Sequence, residues 1–369
     1  MENLARREVW RKDDALRRTE SLLEAQYAQL QALEFQFGES LLLAQQRESA
    51  LLEERNNGHV LLEAARAELS DLQRTLGPSD THSDAEVVQM IRNLNLEISR
   101  TATLLTDSFH VEDSRQVETF PGAYERTKEA VGPIMAELLE SIHHEDDPIL
   151  VHIALQADMV GFAAGIVSAW DFQHQSNATF SGIHKQMLKT ETQSVTGRWR
   201  ALTRQYSKQR LYNGRDLAAG FIKQLAERLS DILLVSGALA DPEQLRRSLY
   251  QNFDSIIRFA LNLQEIIGER IISRDLEVVV VRIDDTFDPD QMEDVYGDDG
   301  PRSEEQADLH VLCTAALGLR RCEKPIDGLG DELQLTTLVK PKVVLETFVY
   351  ELGLVDEEEI HVDEGHLPA

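Results

Sequence analysis

The sequence predicts a mainly α protein built as a long N-terminal coiled-coil helix, a helical bundle and a small C-terminal β module. Three observations predict it. The positions Val9, Leu16, Leu23, Leu30, Phe37, Ala44, Leu51, Gly58, Ala65 and Leu72 are seven apart, and all but Gly58 carry an apolar side chain. Hydrophobic residues make up 42% of the chain but aromatics only 6%, a balance typical of helical proteins rich in Leu, Ala, Glu and Arg. Past residue 273 the helical period gives way to short β-branched runs.

The rod is expected over residues 1–77. A seven-residue apolar period makes one continuous stripe, which another helix must cover. Residues 4 to 76 contain no proline, and Gly77-Pro78 is a helix-ending pair. A helix of that length is roughly 100 Å long. A second row is weaker: Tyr27, Leu41, Leu62, Leu69 and Leu76 are interrupted by Glu20, Glu34, Glu48 and Arg55. The residues expected to carry dimerisation are Leu16, Leu23, Leu30, Phe37, Leu51, Leu62, Leu69 and Leu72. The competing arrangement is a helix folded back onto its own chain.

The bundle is expected over 83–273, as about six helices. Ser83 and Glu86 form a capping-box pattern, followed by the face Val87, Met90, Ile91, Leu94, Ile98 and Leu105. Residues 107–121 read as a loop. A helical pattern runs from Tyr124 to Ile142, and a buried apolar helix from Pro148 to Trp170. Its His152, Gln156 and Asp158 suit a protein core better than a bilayer. One amphipathic stretch runs from Phe180 to Tyr212, and a further helix carries Phe221, Leu225, Leu229 and Leu233. The last starts at Asp241-Pro242, an acidic N-cap with proline in the first turn.

The β module is expected over 274–350, with strands at 276–283, 309–315 and 335–345, the last broken by Pro341. An acidic tail, 351–369, is expected to be disordered.

Composition narrows the function classes. Net charge is −28, and from Asp275 onward 25 acidic residues face 7 basic ones, a surface that repels nucleic acid and anionic membranes. Cys313 and Cys322 cannot make a disulfide framework and read as reduced thiols in a small core. MENLARREVW lacks an apolar signal core, so a cytoplasmic location is expected. No P-loop, dinucleotide glycine loop, nucleophile elbow or HExxH occurs, and no catalytic residue, cofactor or metal is expected. His143-His144-Glu145 reads as a solvated helix end. Asp288, Asp290 and Asp294 fail the calcium-loop pattern, because Met292 and Glu293 stand where a ligand and a glycine are needed.

A basic run stands out in this acidic chain. Between Thr192 and Arg215 there is no acid, while Arg198, Arg200, Arg204 and Lys208 occur with Trp199 and Tyr206 interleaved. Such a run can bind nucleic acid. Arg200, Arg204 and Lys208 share one helix face apart from the aromatics, which favours docking against this chain or a protein partner instead.

Two resemblances follow from named runs. The layout, with SVTGRWRALTR, FDPDQMEDVYG, VLCTAALGL and LVKPKVVLE, resembles a group of uncharacterised fungal coiled-coil proteins, which implies no activity. The C-terminal quarter resembles the β module of GrpE nucleotide-exchange factors: Phe287, Asp288, Pro289, Glu293 and Val295 match its FDP-x-x-HEAV-like turn, and Leu338, Lys340, Pro341 and Val343 its closing strand. Met292 departs from that family's histidine, and some 190 residues separate rod from sheet where the family has a short bundle. That resemblance implies an Hsp70 as partner, met by Phe287, Asp288, Pro289 and Lys340. The expected function is therefore a non-catalytic, self-associating scaffold, a homodimer with a protein partner. GrpE-like exchange is the alternative, and an unrecognised enzyme the third reading.

Overall fold

The structure is a computed structural model that describes residues 2–76, 80, 82–108, 122–145, 147–172, 176–212, 214–238, 241–297, 309–323 and 333–351. For residues 2–9, 13, 15, 68–76 and 351 it describes the backbone alone. The Gly77-Pro78 break, most of the loop expected after Asp107, residues 298–308 and 324–332, and the expected tail beyond Glu351 lie outside the described residues.

The chain divides into two units, 1–78 and 79–369. The first is one helix, α1 (Glu2–Leu76), 75 residues long. Gly38 and Gly58 stay within it, at a cost of about 1 kcal/mol each in helix propensity.

The second unit begins at α2 (Asp84–Asp107), whose start is the capping box the sequence predicts. The Glu86 N–H donates to Ser83 Oγ, and the Ser83 N–H donates to Glu86 Oε2 at 2.7 Å. The helical pattern over 124–142 is two helices, α3 (Ala123–Val131) and α4 (Pro133–Ser141). Gly132 between them has φ +91°, a conformation other residues resist, and Pro133 cannot donate back across the break. The apolar segment is α5 (Ile149–Ser168), long and apolar enough to cross a membrane by length and composition. Here it is the central helix, packed against α2, α8 (Ala218–Val235) and α10 (Tyr250–Glu265). The stretch 180–212 also divides, into α6 (Asn177–Thr190) and α7 (Gln193–Tyr212), at the extended Glu191. Asp241 caps α9 (Pro242–Ser248) by accepting from the Glu243 and Gln244 N–H groups. After Leu249, α10 runs into a single π-helical turn, Ile266–Arg270.

The strands form two three-stranded sheets. In one, β4 (Gly318–Glu323) pairs antiparallel with both β1 (Asp275–Val279) and β5 (Gln334–Val339). In the other, β6 (Lys342–Leu345) lies antiparallel to β3 (Val311–Ala316) and parallel to β2 (Glu293–Asp294). Pro341 separates β5 from β6, as its missing donor requires. The sequence reading lacks β4, whose Arg320-Arg321 pair hides the strand pattern, and the closing helix α11 (Thr347–Glu351).

One hydrophobic core spans helices and strands: Leu276, Leu312, Leu319, Val344 and Phe348 belong to the same buried cluster as Ile91, Met159 and Phe253. The boundary expected at 273/274 thus marks a change of secondary structure within one core. A smaller cluster of Val281, Val311, Val343 and Leu345 lies under Phe287, Met292 and Leu309. Polar ties add to this packing. The Ile272 and Ser273 N–H groups donate to Asp80 Oδ1 at 2.6 and 3.1 Å, and Arg274 donates to Oδ2 at 2.8 Å. Burial pushes the Asp80 carboxyl up, but its bonds to Ser273, Ile272 and Arg274 outweigh that and hold it below the usual carboxylate value.

Candidate functional site

Three places carry the residues singled out by the sequence. The first is α1. Leu16, Leu23, Leu30, Phe37, Leu51 and Leu62 are all exposed, from 49% at Leu62 to 70% at Phe37. The side chains of Leu69 and Leu72 lie outside the described set. Leu22, Phe35, Leu42 and Leu43 are exposed as well and lie off the heptad row.

The second place is α7, where the four basic residues part company. Arg200 and Arg204 are buried, while Arg198 and Lys208 are half-buried. Of the two kinds of docking expected, Arg200 and Arg204 make the one against this chain. Arg204 donates to the Val167 and Ser168 carbonyls, both at 3.2 Å, at the C-terminal end of α5. Arg200 donates to the carbonyls of Gly268, Ile271 and Arg274 around the end of the π turn, and forms an ion pair with Asp275 at the start of β1. Helix C-termini leave carbonyls unpaired and carry partial negative charge, so two guanidinium groups there satisfy acceptors and complement the dipoles. Lys208 pairs with Glu269 at 2.7 Å on the same turn. Gly197 permits the close approach this needs, since a Cβ there would lie 2.1 Å from the Ile272 carbonyl oxygen. Arg200, Arg204 and Lys208 are therefore internal cement between α7, the end of α5, the π turn and β1.

Beside Arg200 stands His184 of α6, a buried residue the sequence reading did not select. Its Nε2 lies 3.1 Å from Asp275 Oδ1, and its ring stacks on Trp199 at 6.2 Å between centroids. Asp275 Oδ2 accepts from Gln193 Nε2 at 2.5 Å. Burial, reinforced by the Arg200 and Arg204 charges, pushes the imidazole down to about 4, so it is neutral at neutral pH. Trp170 completes the group, with the Arg204 guanidinium 4.9 Å from its ring centroid. This cluster borders a cavity of about 670 Å³ that reaches from α6 across β1 to β4 and β5. A second cavity, of about 850 Å³, is floored by Gly161, Gly165 and Phe162 of α5 and walled by Phe172 and Phe221. Both of its arginines are already paired: Arg126 grips both oxygens of Asp231 at 2.7 Å, and Arg228 grips the fully buried Asp158.

The third place is the turn before β2. Lys340 Nζ donates to the Pro289 carbonyl at 2.6 Å, so two segments about fifty residues apart meet here. Asp288 accepts from the Asp290 N–H and from Gln291, bonds that lower its carboxyl pKa. Phe287 packs on the smaller hydrophobic cluster, while Pro289 and Lys340 are exposed.

Cys313 on β3 and Cys322 on β4 are free and buried, and burial pushes each thiol up to about 12, far from a reactive thiolate. Among the described residues no group of three or more His, Cys, Asp or Glu is placed to hold a metal ion. No protein family, curated protein or solved structure matches this chain.

Proposed function

We propose that the protein is a non-catalytic, self-associating scaffold in which α1 pairs with α1 of a second copy and the second unit engages other proteins. The observation that supports this is the exposed heptad row of α1, whose Leu16, Leu23, Leu30, Phe37 and Leu51 are each at least 57% accessible. Fully burying a Leu or Phe side chain contributes about 1.5–3 kcal/mol, so a row of this length favours association over a bare rod in water. A period of 3.5 residues selects another helix as cover. Sedimentation equilibrium of the full chain is the test. A mass of at least twice 41.7 kDa at micromolar concentration is expected, and a constant 41.7 kDa would sink the proposal.

A second reading is exchange-factor activity toward an Hsp70. It rests on the GrpE-like runs and on the Lys340–Pro289 tie, which holds the Phe287-Asp288-Pro289 turn on the surface of the β2–β6–β3 sheet. The check is release of labelled ADP from a cognate Hsp70. Acceleration lost in Lys340→Ala supports it, and no acceleration by the parent chain excludes it.

A further inference from the structure

The cavity beside His184 has a charge opposite to that of the chain. Five cations border it (Lys185, Lys189, Arg200, Arg204 and Arg320) against two carboxylates, Asp275 and Glu277, in a protein of net charge −28. Both carboxylates are taken: Arg200 holds Asp275, and Arg320 donates twice to Glu277 Oε2, at 3.0 and 2.8 Å. Arg204, Lys185 and Lys189 have no ion-pair partner among the described residues. Arg204 is 7% exposed and bonded only to neutral carbonyls, and its Nε is buried without a hydrogen bond. The carboxylate that acts on it, Glu269, is held by Lys208, and burial outweighs that attraction and pushes the guanidinium down to about 10. Lys185 and Lys189, four residues apart on α6, lie on one face at the opening. Apart from Ser168, Ser181 and His184, the rest of the lining is apolar, with Trp170, Leu188, Leu276, Val278 and Leu335. A volume of about 670 Å³ falls within the range of small-molecule sites.

We infer that this cavity binds an anionic amphiphile, a carboxylate or phosphate headgroup on a short apolar body. The headgroup sits toward Lys185, Lys189 and the positive field of Arg204, and the body lies along Leu188, Leu276 and Leu335. Neither element suffices alone. The lysines are exposed, so they attract an anion but hold it weakly in water, while the apolar wall supplies the surface that selects an amphiphile over a free ion.

The chain carries its own reporter. Trp170 lines the cavity and Trp199 is 5.4 Å from it between ring centroids, so the full-length Trp10→Phe variant leaves only tryptophans at the site. The experiment titrates that variant with octanoate, octyl phosphate, octanol and inorganic phosphate, reading tryptophan fluorescence. A saturable change at one equivalent is expected with octanoate, octyl phosphate or both, and which of them binds names the headgroup. Half-saturation should rise at least ~10-fold in the added double variant Lys185→Glu/Lys189→Glu. It should also rise on going from about 50 to about 300 mM NaCl. Both lysines are exposed, so the double variant keeps its circular dichroism. The inference is overturned if neither amphiphile saturates below about 5 mM. It falls equally if octanol binds as well as octanoate, if inorganic phosphate matches octyl phosphate, or if the double variant binds like its parent.

Discussion

Asn95 of α2 serves the backbone of Leu317 in both directions. Its Nδ2 donates to the Leu317 carbonyl at 3.0 Å, and its Oδ1 accepts the Leu317 N–H at 2.9 Å. Leu317 is the buried residue where the chain leaves β3 for β4 and so changes sheet. No strand partner can serve it there, and one side-chain amide does the work of a missing ladder rung. Truncation to alanine leaves a donor and an acceptor unpaired, at about 1–3 kcal/mol for each group that water cannot reach. Asn95→Ala should therefore lower stability by about 2–4 kcal/mol in urea unfolding, and Asn95→Asp should not restore it, because a carboxylate cannot donate to the carbonyl.

Asp158 and Arg228 predict an asymmetry. Asp158 is fully buried on α5, and burial pushes its carboxyl up against the opposing pull of Arg228. Removing only the arginine strands a buried carboxylate, so Arg228→Met should cost about 3–5 kcal/mol. The double variant Asp158→Asn/Arg228→Met should recover much of that loss. With Arg228 gone, the native state holds the Asp158 proton more tightly than the unfolded chain does. The Arg228→Met deficit should therefore shrink as pH falls, which urea unfolding at pH 7 and pH 5 would reveal.

These two ties also mark where sequence reading stops. Signals that act within a few residues are legible: the Ser83–Glu86 box, the Asp241 cap, the Pro341 break and the α2 core face all sit where expected. The heptad row is legible for the same reason, since its period is set by one helix. For Arg200 and Arg204 the shared helix face points to docking but not to its partners, which lie 36 to 75 residues away and are mostly backbone carbonyls that no side-chain pattern reveals. His184 was silent; a lone histidine in an amphipathic helix gives no hint that Asp275 will meet it from a strand. The nearest thing to a clue was Gly197, a glycine kept inside a helix otherwise rich in long side chains. Gly132 is a second, standing where the 124–142 pattern divides into α3 and α4.

His184 makes the fold sensitive to mild acid. Its native value of about 4 lies below the ordinary 6.5, so between those limits the unfolded chain binds a proton that the native state refuses. Stability contributed by the neutral imidazole is complete above pH 6.5 and falls as pH drops toward 4, by at most about 3 kcal/mol. His184→Gln removes this contribution. Urea unfolding at pH 7 and pH 4.5 should show the parent losing more stability than the variant over that interval, and equal losses would place the acid sensitivity elsewhere.

The exposed row of α1 predicts an unusual response to salt. Between Glu20 and Glu54 the helix has seven acidic residues and one basic residue, Arg47. That band straddles the helix midpoint, so parallel pairing and blunt-ended antiparallel pairing both set it against its own copy. Glu34 and Glu48 even fall in the second core row, where apolar residues would otherwise close the seam. Apolar burial must therefore overcome like-charge repulsion, and that repulsion weakens as the screening length shrinks from about 10 Å at 0.1 M toward about 3 Å at 1 M salt. Self-association should tighten on raising NaCl from about 0.05 to about 0.5 M, the reverse of a contact made by opposite charges. Glu34→Leu/Glu48→Leu should tighten it further and flatten the salt response. Leu23→Glu/Leu30→Glu, which adds charge to the stripe itself, should weaken it by at least ~100-fold. Sedimentation equilibrium across this series separates the arrangements. If salt instead dissociates the assembly, the helices are staggered so that Arg6, Arg7, Arg11, Lys12, Arg17 and Arg18 of one copy meet the acidic band of the other.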